Sequence, residues 1–185
     1  MRWFDRPGML GVLVSLSMLA GSGAAWAEDA KTLDKTADKT PDYAAIVASP
    51  DRSDADRQTD QRRQPAKMLA FTGARPGMKL LDMGAGAGYS TELLARAVAG
   101  GGAGVYAQES AAVMERVKDK FDIRARNPAM KNVVHLIRNY DDPIPPDAGG
   151  LDLITFFFAY HDVTYMPADR AAMNRKMFAA RSAGM

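Results

Sequence analysis

The chain has 185 residues, with 24 basic and 22 acidic side chains, a formal net charge of +2 and no cysteine. This length suits one domain with a hydrophobic core of its own. The near-even charge balance disfavours a dedicated nucleic-acid surface, because phosphate binding needs clustered basic side chains. The lack of cysteine excludes disulfides, thiol nucleophiles and cysteine-based metal sites.

Residues 1–27 have the pattern of a secretory signal peptide. Arg2 and Arg6 precede an apolar stretch over residues 9–20, and an Ala-Trp-Ala sequence at 25–27 offers small residues where a signal peptidase cleaves. The apolar stretch is shorter than the roughly 20 residues that a membrane-spanning helix needs. We therefore expect a bacterial protein that is periplasmic or secreted, with no stable membrane association after cleavage.

Residues 28–50 are predicted to form a flexible linker, because residues 28–41 are charged and nearly free of large apolar side chains. The predicted domain spans residues 51–185. Its first segment, residues 51–63, is densely charged and is open to two interpretations: a solvated helix face, or a lid whose arginines approach a bound ligand. Pro65 then favours the first turn of a helix, which Gly73 ends.

From residue 79 onward the pattern alternates strands with helices. Strands are predicted over residues 79–83, 104–108, 133–137 and 151–158, and helices over 89–98, 111–121 and 168–180. Such alternation implies parallel strands joined by right-handed crossovers. The predicted fold class is therefore α/β, with a doubly wound parallel sheet.

The first predicted strand ends in a glycine-rich loop, in which Gly84, Gly86 and Gly88 are spaced G-x-G-x-G. Such a loop lets a ligand contact the backbone beside a helix N-terminus. The dinucleotide motif would be G-x-G-x-x-G, and Asp82 would repel a pyrophosphate, so an NAD-dependent oxidoreductase is disfavoured. Asp82 would instead attract the amino group of an amino-acid-like ligand, directly or through water. Glu109, after the second strand, is suited to accept hydrogen bonds from ribose hydroxyls, and together these features predict S-adenosylmethionine as the cofactor.

The loop and the helix after it, residues 82–95, resemble motif I of the class I S-adenosylmethionine-dependent methyltransferases. Residues 51–53, 62–69, 105–108, 160–162 and 170–175 are similar to those of a group of bacterial predicted methyltransferases with export signals. The resemblance covers about residues 51–180. It implies a Rossmann-like sheet with strand order 3-2-1-4, the cofactor lying across the carboxyl ends of the first two strands, and Asp141 or Asp142 near the adenine.

Three candidate catalytic residues, Tyr160, His161 and Asp162, follow the fourth predicted strand. In the expected strand order this point borders the crevice where ligands bind. His161 is suited to act as a general base at neutral pH, and Asp162 could orient its ring. The ring of Tyr160 could shield the positively charged sulfur of S-adenosylmethionine. The alternative is that Tyr160 and His161 merely finish the strand. Related sequences read Asn-Tyr-His-Asp here, whereas this chain has Ala159 in the Asn position.

The two histidines are distant in sequence and predict no metal site; His135, in the third strand, is interpreted as structural or surface-exposed. The resemblance also implies a Leu-Lys-Pro-Gly-Gly turn and a fifth strand after Ala180, where the sequence instead reads Arg-Ser-Ala-Gly-Met. We therefore expect a C-terminally truncated, incomplete sheet whose fourth strand is an exposed apolar edge, prone to self-association.

The function predicted from these features is transfer of a methyl group from S-adenosylmethionine to a small, unidentified substrate. The missing strands predict weak or no catalysis in this form. The alternative is a non-catalytic nucleotide-binding remnant, or an interaction protein with a methyltransferase fold.

Overall fold

The computed structural model describes residues 39–181, so the predicted signal peptide and most of the predicted linker lie outside the described residues. The helices are α1 (Tyr43–Val47), α2 (Asp54–Arg63), α3 (Pro65–Thr72), α4 (Tyr89–Val98), α5 (Ala111–Ala125) and α6 (Arg170–Ala180). The strands are β1 (Leu80–Met83), β2 (Val105–Glu109), β3 (Val133–Ile137) and β4 (Leu153–Thr155), and the 3-10 helices are Pro128–Met130 and Asp162–Tyr165. Within residues 39–181, no helix is both long and apolar enough to span a membrane.

The four strands form one parallel sheet in the order β3-β2-β1-β4, which confirms the predicted α/β fold and strand order. Strand β1 lies inside the sheet, with Leu80 paired to Val105 on one side and to Leu153 on the other. All four of its residues are buried. This burial explains the continuous apolar character of the strand apart from Asp82, because a parallel strand is covered on both faces.

The side chains of β1 alternate between two core clusters. Leu80 packs with Leu93, Leu94 and Val98 of α4 on one face of the sheet. Leu81 and Met83 point to the other face, where α6 supplies Met173. This alternation follows from the two-residue period of a strand.

The predicted boundary between linker and domain, at residues 50 and 51, is wrong. Residues 43–47 form α1, and Tyr43 and Ile46 pack in the same core cluster as Leu69. The Tyr43 hydroxyl donates a hydrogen bond of 2.8 Å to the carbonyl oxygen of Ala74. Burial of the Tyr43 ring, with its hydroxyl hydrogen-bonded, stabilises this short segment by more than the conformational entropy it loses on ordering. The folded domain therefore already begins before Tyr43.

The fourth strand is shorter than the predicted span 151–158. Regular pairing is confined to Leu153–Thr155, and residues 157–160 form a turn in which Phe158 has a φ of 61°. The ring of Phe156 stacks on Tyr140, and Phe157 packs on the α4 side of the sheet. These aromatic side chains gain more contact inside the core than they would along a strand edge, so the exposed edge is shorter than expected.

The edge of β4 away from β1 is partly covered. Leu151 forms an isolated parallel bridge with Arg181, and its N–H donates to the carbonyl oxygen of Ala180 at 2.9 Å. The chain therefore turns back beside β4 directly after α6. Helices α5 and α6 also differ from their predicted limits, since α5 continues to Ala125 and α6 begins at Arg170 behind the N-cap Asp169.

Candidate functional site

The loop between β1 and α4 has the backbone shape that its glycines suggest. Gly84, Gly86 and Gly88 have φ angles of 63°, 54° and 82°, in the left-handed region that favours glycine. The N–H of Ala85 donates to the carbonyl oxygen of Gln108 at 3.0 Å, and the N–H of Gly88 donates to that of Ala85 at 2.8 Å. The loop is thus tied to the end of β2 and turns tightly into α4.

Two of the three glycines are also required by close packing. A β-carbon on Gly84 would lie 2.8 Å from Cε2 of Phe156 and 3.1 Å from Cβ of Ala159. A β-carbon on Gly88 would lie 3.0 Å from Cδ of Arg124. Gly86 has no heavy atom within 4 Å of that position, so the middle of the loop borders open space.

Asp82 lies beneath the loop instead of in contact with solvent. Its side chain is fully buried, with the residue 0% exposed, and it accepts hydrogen bonds from Ser90 at 2.9 Å, Thr91 at 2.7 Å and Thr155 at 2.8 Å. Burial raises the pKa of this carboxyl, although the three hydroxyl donors oppose the shift. These oxygens hold the first turn of α4 against β1 and β4, and the predicted contact with the cofactor's amino group, directly or through water, stays a prediction.

Glu109, at the end of β2, lies directly beside the loop. Glu109 is 2% exposed, and its Oε2 accepts a hydrogen bond of 3.0 Å from the N–H of Gly86. Its Oε1 accepts the N–H of Ser110 at 2.7 Å and the hydroxyl of Tyr140 at 2.5 Å. The carboxylate is therefore held in one orientation by three donors from three different segments.

Two neighbouring cavities lie at the carboxyl ends of the strands. The first, of about 490 Å³, is lined by Gly84, Gly86, Glu109, Val113, Arg116, Tyr140, Ala159, Asp162, Tyr165 and Met166. The second, of about 470 Å³, shares Val113, Arg116, Tyr140 and Met166 with the first and adds residues 110–112, 139, 141, 167 and 168. The sheet thus brings Gly84, Gly86, Glu109 and Asp162 to one cavity and Asp141 to the next, whereas Asp82 and Gly88 line neither.

The candidate catalytic residues lie at the rim of the first cavity. Asp162 lines it, and Oδ1 of Asp162 lies 3.1 Å from Nε2 of His161, whose side chain is 74% exposed. Tyr160 contacts the ring of Phe156 edge-on, and its hydroxyl accepts a hydrogen bond from Asn174 at 3.1 Å. His161 and Tyr160 are outside the lining of both cavities, so of the three only Asp162 lines one of them.

A sequence-family model of protein-L-isoaspartate(D-aspartate) O-methyltransferase matches residues 36–137, more than half of the chain. The chain belongs to this family. The matched segment includes the glycine-rich loop and Glu109, and it ends before residues 159–166, which close the first cavity. A comparison with curated proteins finds no match.

Three solved structures are similar in fold. One is a SAM-dependent methyltransferase from Aquifex aeolicus, with 22% identity and a TM-score of 0.54, over 69% of this chain and 66% of that chain. The YcgJ protein from Bacillus subtilis has 18% identity and a TM-score of 0.50, over 63% and 44% of the two chains. An arsenic(III) S-adenosylmethionine methyltransferase from Chlamydomonas reinhardtii has 16% identity and a TM-score of 0.50, over 78% and 46%. The chain therefore spans less than two thirds of the length of each of these relatives.

Tyr140 is a further residue of the candidate site, and the sequence did not predict it. It borders both cavities, donates to Glu109 and stacks on Phe156 with ring centroids 5.7 Å apart. Burial, together with the bond to Glu109, raises the pKa of its hydroxyl. Its position directly after β3, at the same sheet edge as Glu109, is the signal that would have found it.

The structure separates the two acids that follow Tyr140. Asp141 lines the second cavity. Asp142 is paired instead with Arg138 and Lys176, and the Lys176 ammonium is the main reason that the pKa of this carboxyl is lowered. Of the two, only Asp141 is available to a ligand in the cavity.

Most of the charged segment at residues 51–63 is an exposed helix face, as one of the two interpretations predicted, although Arg52 and Asp56 are buried. Arg52 is buried and forms two hydrogen bonds with Asp60, of 2.6 and 2.8 Å, and Asp60 accepts the hydroxyl of Tyr89 at 2.6 Å. The guanidinium of Arg63 lies over the rings of Tyr89 and Phe158. The hydrogen bond from Tyr89 to Asp60 and the contact of Arg63 with the Tyr89 ring attach α2 to α4, and none of the segment lines either cavity.

His135 has the structural role that the sequence favoured. Its ring stacks on Phe121 of α5 with the centroids 4.0 Å apart, and burial lowers its pKa. In the part of the chain that the structure describes, no group of three or more His, Asp or Glu side chains is arranged to hold a metal ion.

Proposed function

We propose that this protein is an S-adenosylmethionine-dependent methyltransferase that acts on a small, still unidentified acceptor. The observation that carries the proposal is the first cavity, where the loop backbone at Gly84 and Gly86 meets the carboxylate of Glu109. A carboxylate at this edge repels phosphate and accepts hydrogen bonds from ribose hydroxyls. This chemistry favours a nucleoside carrying an amino-acid group over a dinucleotide.

The dimensions and lining of the two cavities fit such a cofactor. Together the cavities extend from Gly84, past Glu109 and Tyr140, to Asp141. We infer that Glu109 holds the ribose and that Asp141 accepts from the exocyclic amino group of the adenine, between apolar surfaces such as Val113. When bound, S-adenosylmethionine supplies a methyl group on a positively charged sulfur.

Residues 159–162 are suited to receive the acceptor. Methyl transfer depends mainly on holding the nucleophile in line with the methyl group, which is a matter of positioning. His161 would take a proton from the acceptor at Nδ1, directly or through a water, because its Nε2 faces Asp162, which would orient the ring and stabilise its protonated form. Tyr160 would form an aromatic wall beside them.

The acceptor named in the family description, an isoaspartyl or D-aspartyl residue, is not carried over to this chain by the match. The matched residues end at Ile137, whereas the rim that would contact an acceptor is formed by residues 159–166. Transfer to an isoaspartyl peptide is therefore one arm of the test, and transfer to small hydroxy, amino and carboxylic compounds is the other.

Calorimetric titration of the protein with S-adenosylhomocysteine tests the cofactor assignment, with NAD as the competing ligand. We expect Glu109→Gln and Asp141→Asn each to weaken binding about tenfold, the equivalent of one hydrogen bond to a charged group. Asp142→Asn is the matched control, because Asp142 is adjacent in sequence but lines neither cavity, and it should leave the affinity unchanged. Binding of NAD instead of S-adenosylhomocysteine would exclude the proposal.

Turnover is measured with a labelled methyl donor and the two groups of acceptors. Binding of S-adenosylhomocysteine without transfer to any acceptor would favour the non-catalytic nucleotide-binding alternative. Methylation of the isoaspartyl peptide alone would replace the small acceptor by a protein carboxylate.

Localisation and self-association complete the proposal. The pattern over residues 1–27 supports export to the periplasm or secretion, which N-terminal sequencing of the protein from a bacterial periplasmic fraction would test. Among residues 39–181, Leu151 is the only residue bridged along the edge of β4 away from β1, which supports pairing of a second copy over Leu153–Thr155. Light scattering after size-exclusion chromatography would reveal a dimer, and a monomer at high concentration would contradict this part.

A further inference from the structure

Arg124, on α5, connects the glycine-rich loop to two helices outside the cavities. Its Nε donates a hydrogen bond of 2.9 Å to the carbonyl oxygen of Ala87, within the loop. Its terminal nitrogens bind both oxygens of Asp56 on α2, at 2.9 and 2.7 Å, and also Glu92 on α4. The side chain of Arg124 is only 17% exposed, so these bonds are largely shielded from water.

The two carboxylates that hold Arg124 are themselves buried. The side chains of Asp56 and Glu92 are 7% and 3% exposed. Burial is the largest single influence and would raise the pKa of Asp56, but the hydrogen bonds and charge of Arg124, with smaller contributions from Ser53 and Arg52, together lower it. A planar guanidinium that binds one carboxylate with two parallel bonds has a fixed orientation, which directs its Nε–H toward Ala87.

The ion pairs continue beyond Arg124. The other oxygen of Glu92 accepts two hydrogen bonds from Arg96, at 3.1 and 2.8 Å, and Arg96 also binds Asp51 at 2.7 Å. Among the described residues, Arg96 forms its side-chain hydrogen bonds with Glu92 and Asp51 and none with the loop. In this network of ion pairs, Arg124 therefore binds the loop backbone and Arg96 does not.

The loop is held from two sides. Glu109 binds the N–H of Gly86 from the cavity side, and Arg124 binds the carbonyl of the next residue, Ala87, from outside the cavities. The absence of a side chain at Gly88 allows this approach, since a β-carbon there would lie 3.0 Å from Cδ of Arg124. Movement of Arg124 would release one of these two restraints.

We propose that Arg124 is a positioning residue that, held by Asp56 and Glu92, fixes the cofactor loop from outside the cavities and couples α2 to cofactor affinity. Helix α2 itself lines neither cavity. The inference rests on the proposed function, because the affinity concerned is that for S-adenosylmethionine. Helix α2 would thus influence cofactor affinity although it lines neither cavity.

Arg124→Lys separates the loop contact from the charge. A lysine keeps a positive charge near Asp56 and Glu92 but lacks the Nε–H that reaches Ala87. We expect a loss of about 3- to 10-fold in affinity for S-adenosylhomocysteine, the equivalent of one hydrogen bond. Asp56→Asn should weaken binding in the same direction, since it removes the charge that orients the guanidinium.

Arg96→Gln is the matched control. It breaks the ion pairs with Glu92 and Asp51 and should lower the melting temperature, yet leave the affinity for S-adenosylhomocysteine within about twofold of the unmodified protein, because one hydrogen bond exceeds that limit. Hydrogen–deuterium exchange of the peptide spanning residues 84–92, measured without ligand, should be faster in Arg124→Lys than in Arg96→Gln.

The outcomes are distinguishable. Unchanged affinity and exchange in Arg124→Lys would overturn the inference, as would an equal loss of affinity in Arg96→Gln, which would indicate a general effect of stability. If the unmodified protein fails to bind S-adenosylhomocysteine, the proposed function fails. In that case the exchange measurement still decides whether Arg124 holds the loop.

Discussion

The close contact between Gly84 and Phe156 gives a quantitative test of the loop geometry. An added β-carbon at Gly84 would lie 2.8 Å from the ring of Phe156 and 3.1 Å from Cβ of Ala159. The ring cannot move away freely, because it stacks on Tyr140 and meets Tyr160 edge-on. The φ of Gly84, 63°, is also unfavourable for any residue with a β-carbon.

Both effects would lower the free energy of unfolding of Gly84→Ala. The left-handed backbone costs about 1–2 kcal/mol, and overpacking of a filled core costs about 1–3 kcal/mol. We therefore expect a total loss of about 2–5 kcal/mol. Gly73→Ala provides the control, because Gly73 has the same φ of 63° with no heavy atom within 4 Å of the new β-carbon, and it should lose only about 1–2 kcal/mol.

Urea denaturation followed by circular dichroism measures both variants against the unmodified protein. The difference between Gly84→Ala and Gly73→Ala isolates the contact with Phe156, because the backbone cost is common to both. Titration with S-adenosylhomocysteine should show weaker binding for Gly84→Ala alone. Equal destabilisation of the two variants would refute the packing of Phe156 against the loop.

Three further predictions concern the buried acids and the rim. We expect Asp82→Ala to cost about 3 kcal/mol in urea denaturation because it leaves buried hydroxyls unpaired, and Asp82→Asn to cost about 1 kcal/mol; equal costs would contradict the hydroxyl cluster. The pKa of Asp56 is lowered in the folded state, so its ion pair stabilises the protein above the unfolded carboxyl pKa of about 4 and is lost as the pH falls through the lower folded value. Melting temperatures should therefore fall more steeply in acid for the unmodified protein than for Asp56→Asn, and parallel curves would exclude this contribution. With an acceptor in hand, His161→Ala should lower kcat by about 100-fold or more at unchanged affinity for S-adenosylhomocysteine, and an unchanged kcat would exclude His161 as the base.

The order of the helices and strands follows from local patterns in the sequence. The apolar runs at β1, β2 and β3 and the glycines at 84, 86 and 88 each act over a few residues, and the structure bears out the strands and the following helix α4 that they predict. The parallel arrangement and the order β3-β2-β1-β4 could also be predicted, since right-handed crossovers and the resemblance leave few alternatives.

The predictions that failed depended on contacts between distant parts of the chain. Residues 157 and 158 are apolar enough for a strand. However, Phe156 packs between Gly84 and Tyr140, and β4 ends at Thr155. The patch at residues 43–47 is too short to predict a helix by itself, and it forms one because Tyr43 packs against α3 and α4. Neither partner surface is visible in the local sequence.

The sequence by itself determined the fold class, the glycine-rich loop and the acid at Glu109, because each depends on residue type and short spacing. Only the tertiary structure decided which charged groups meet the cavities and which are buried beneath them. Asp82 is satisfied by hydroxyls from α4 and β4, and Arg124 by acids from α2 and α4. A buried charge takes whatever partners the packed helices and strands bring to it, and those partners are set by the fold rather than by neighbours in the chain.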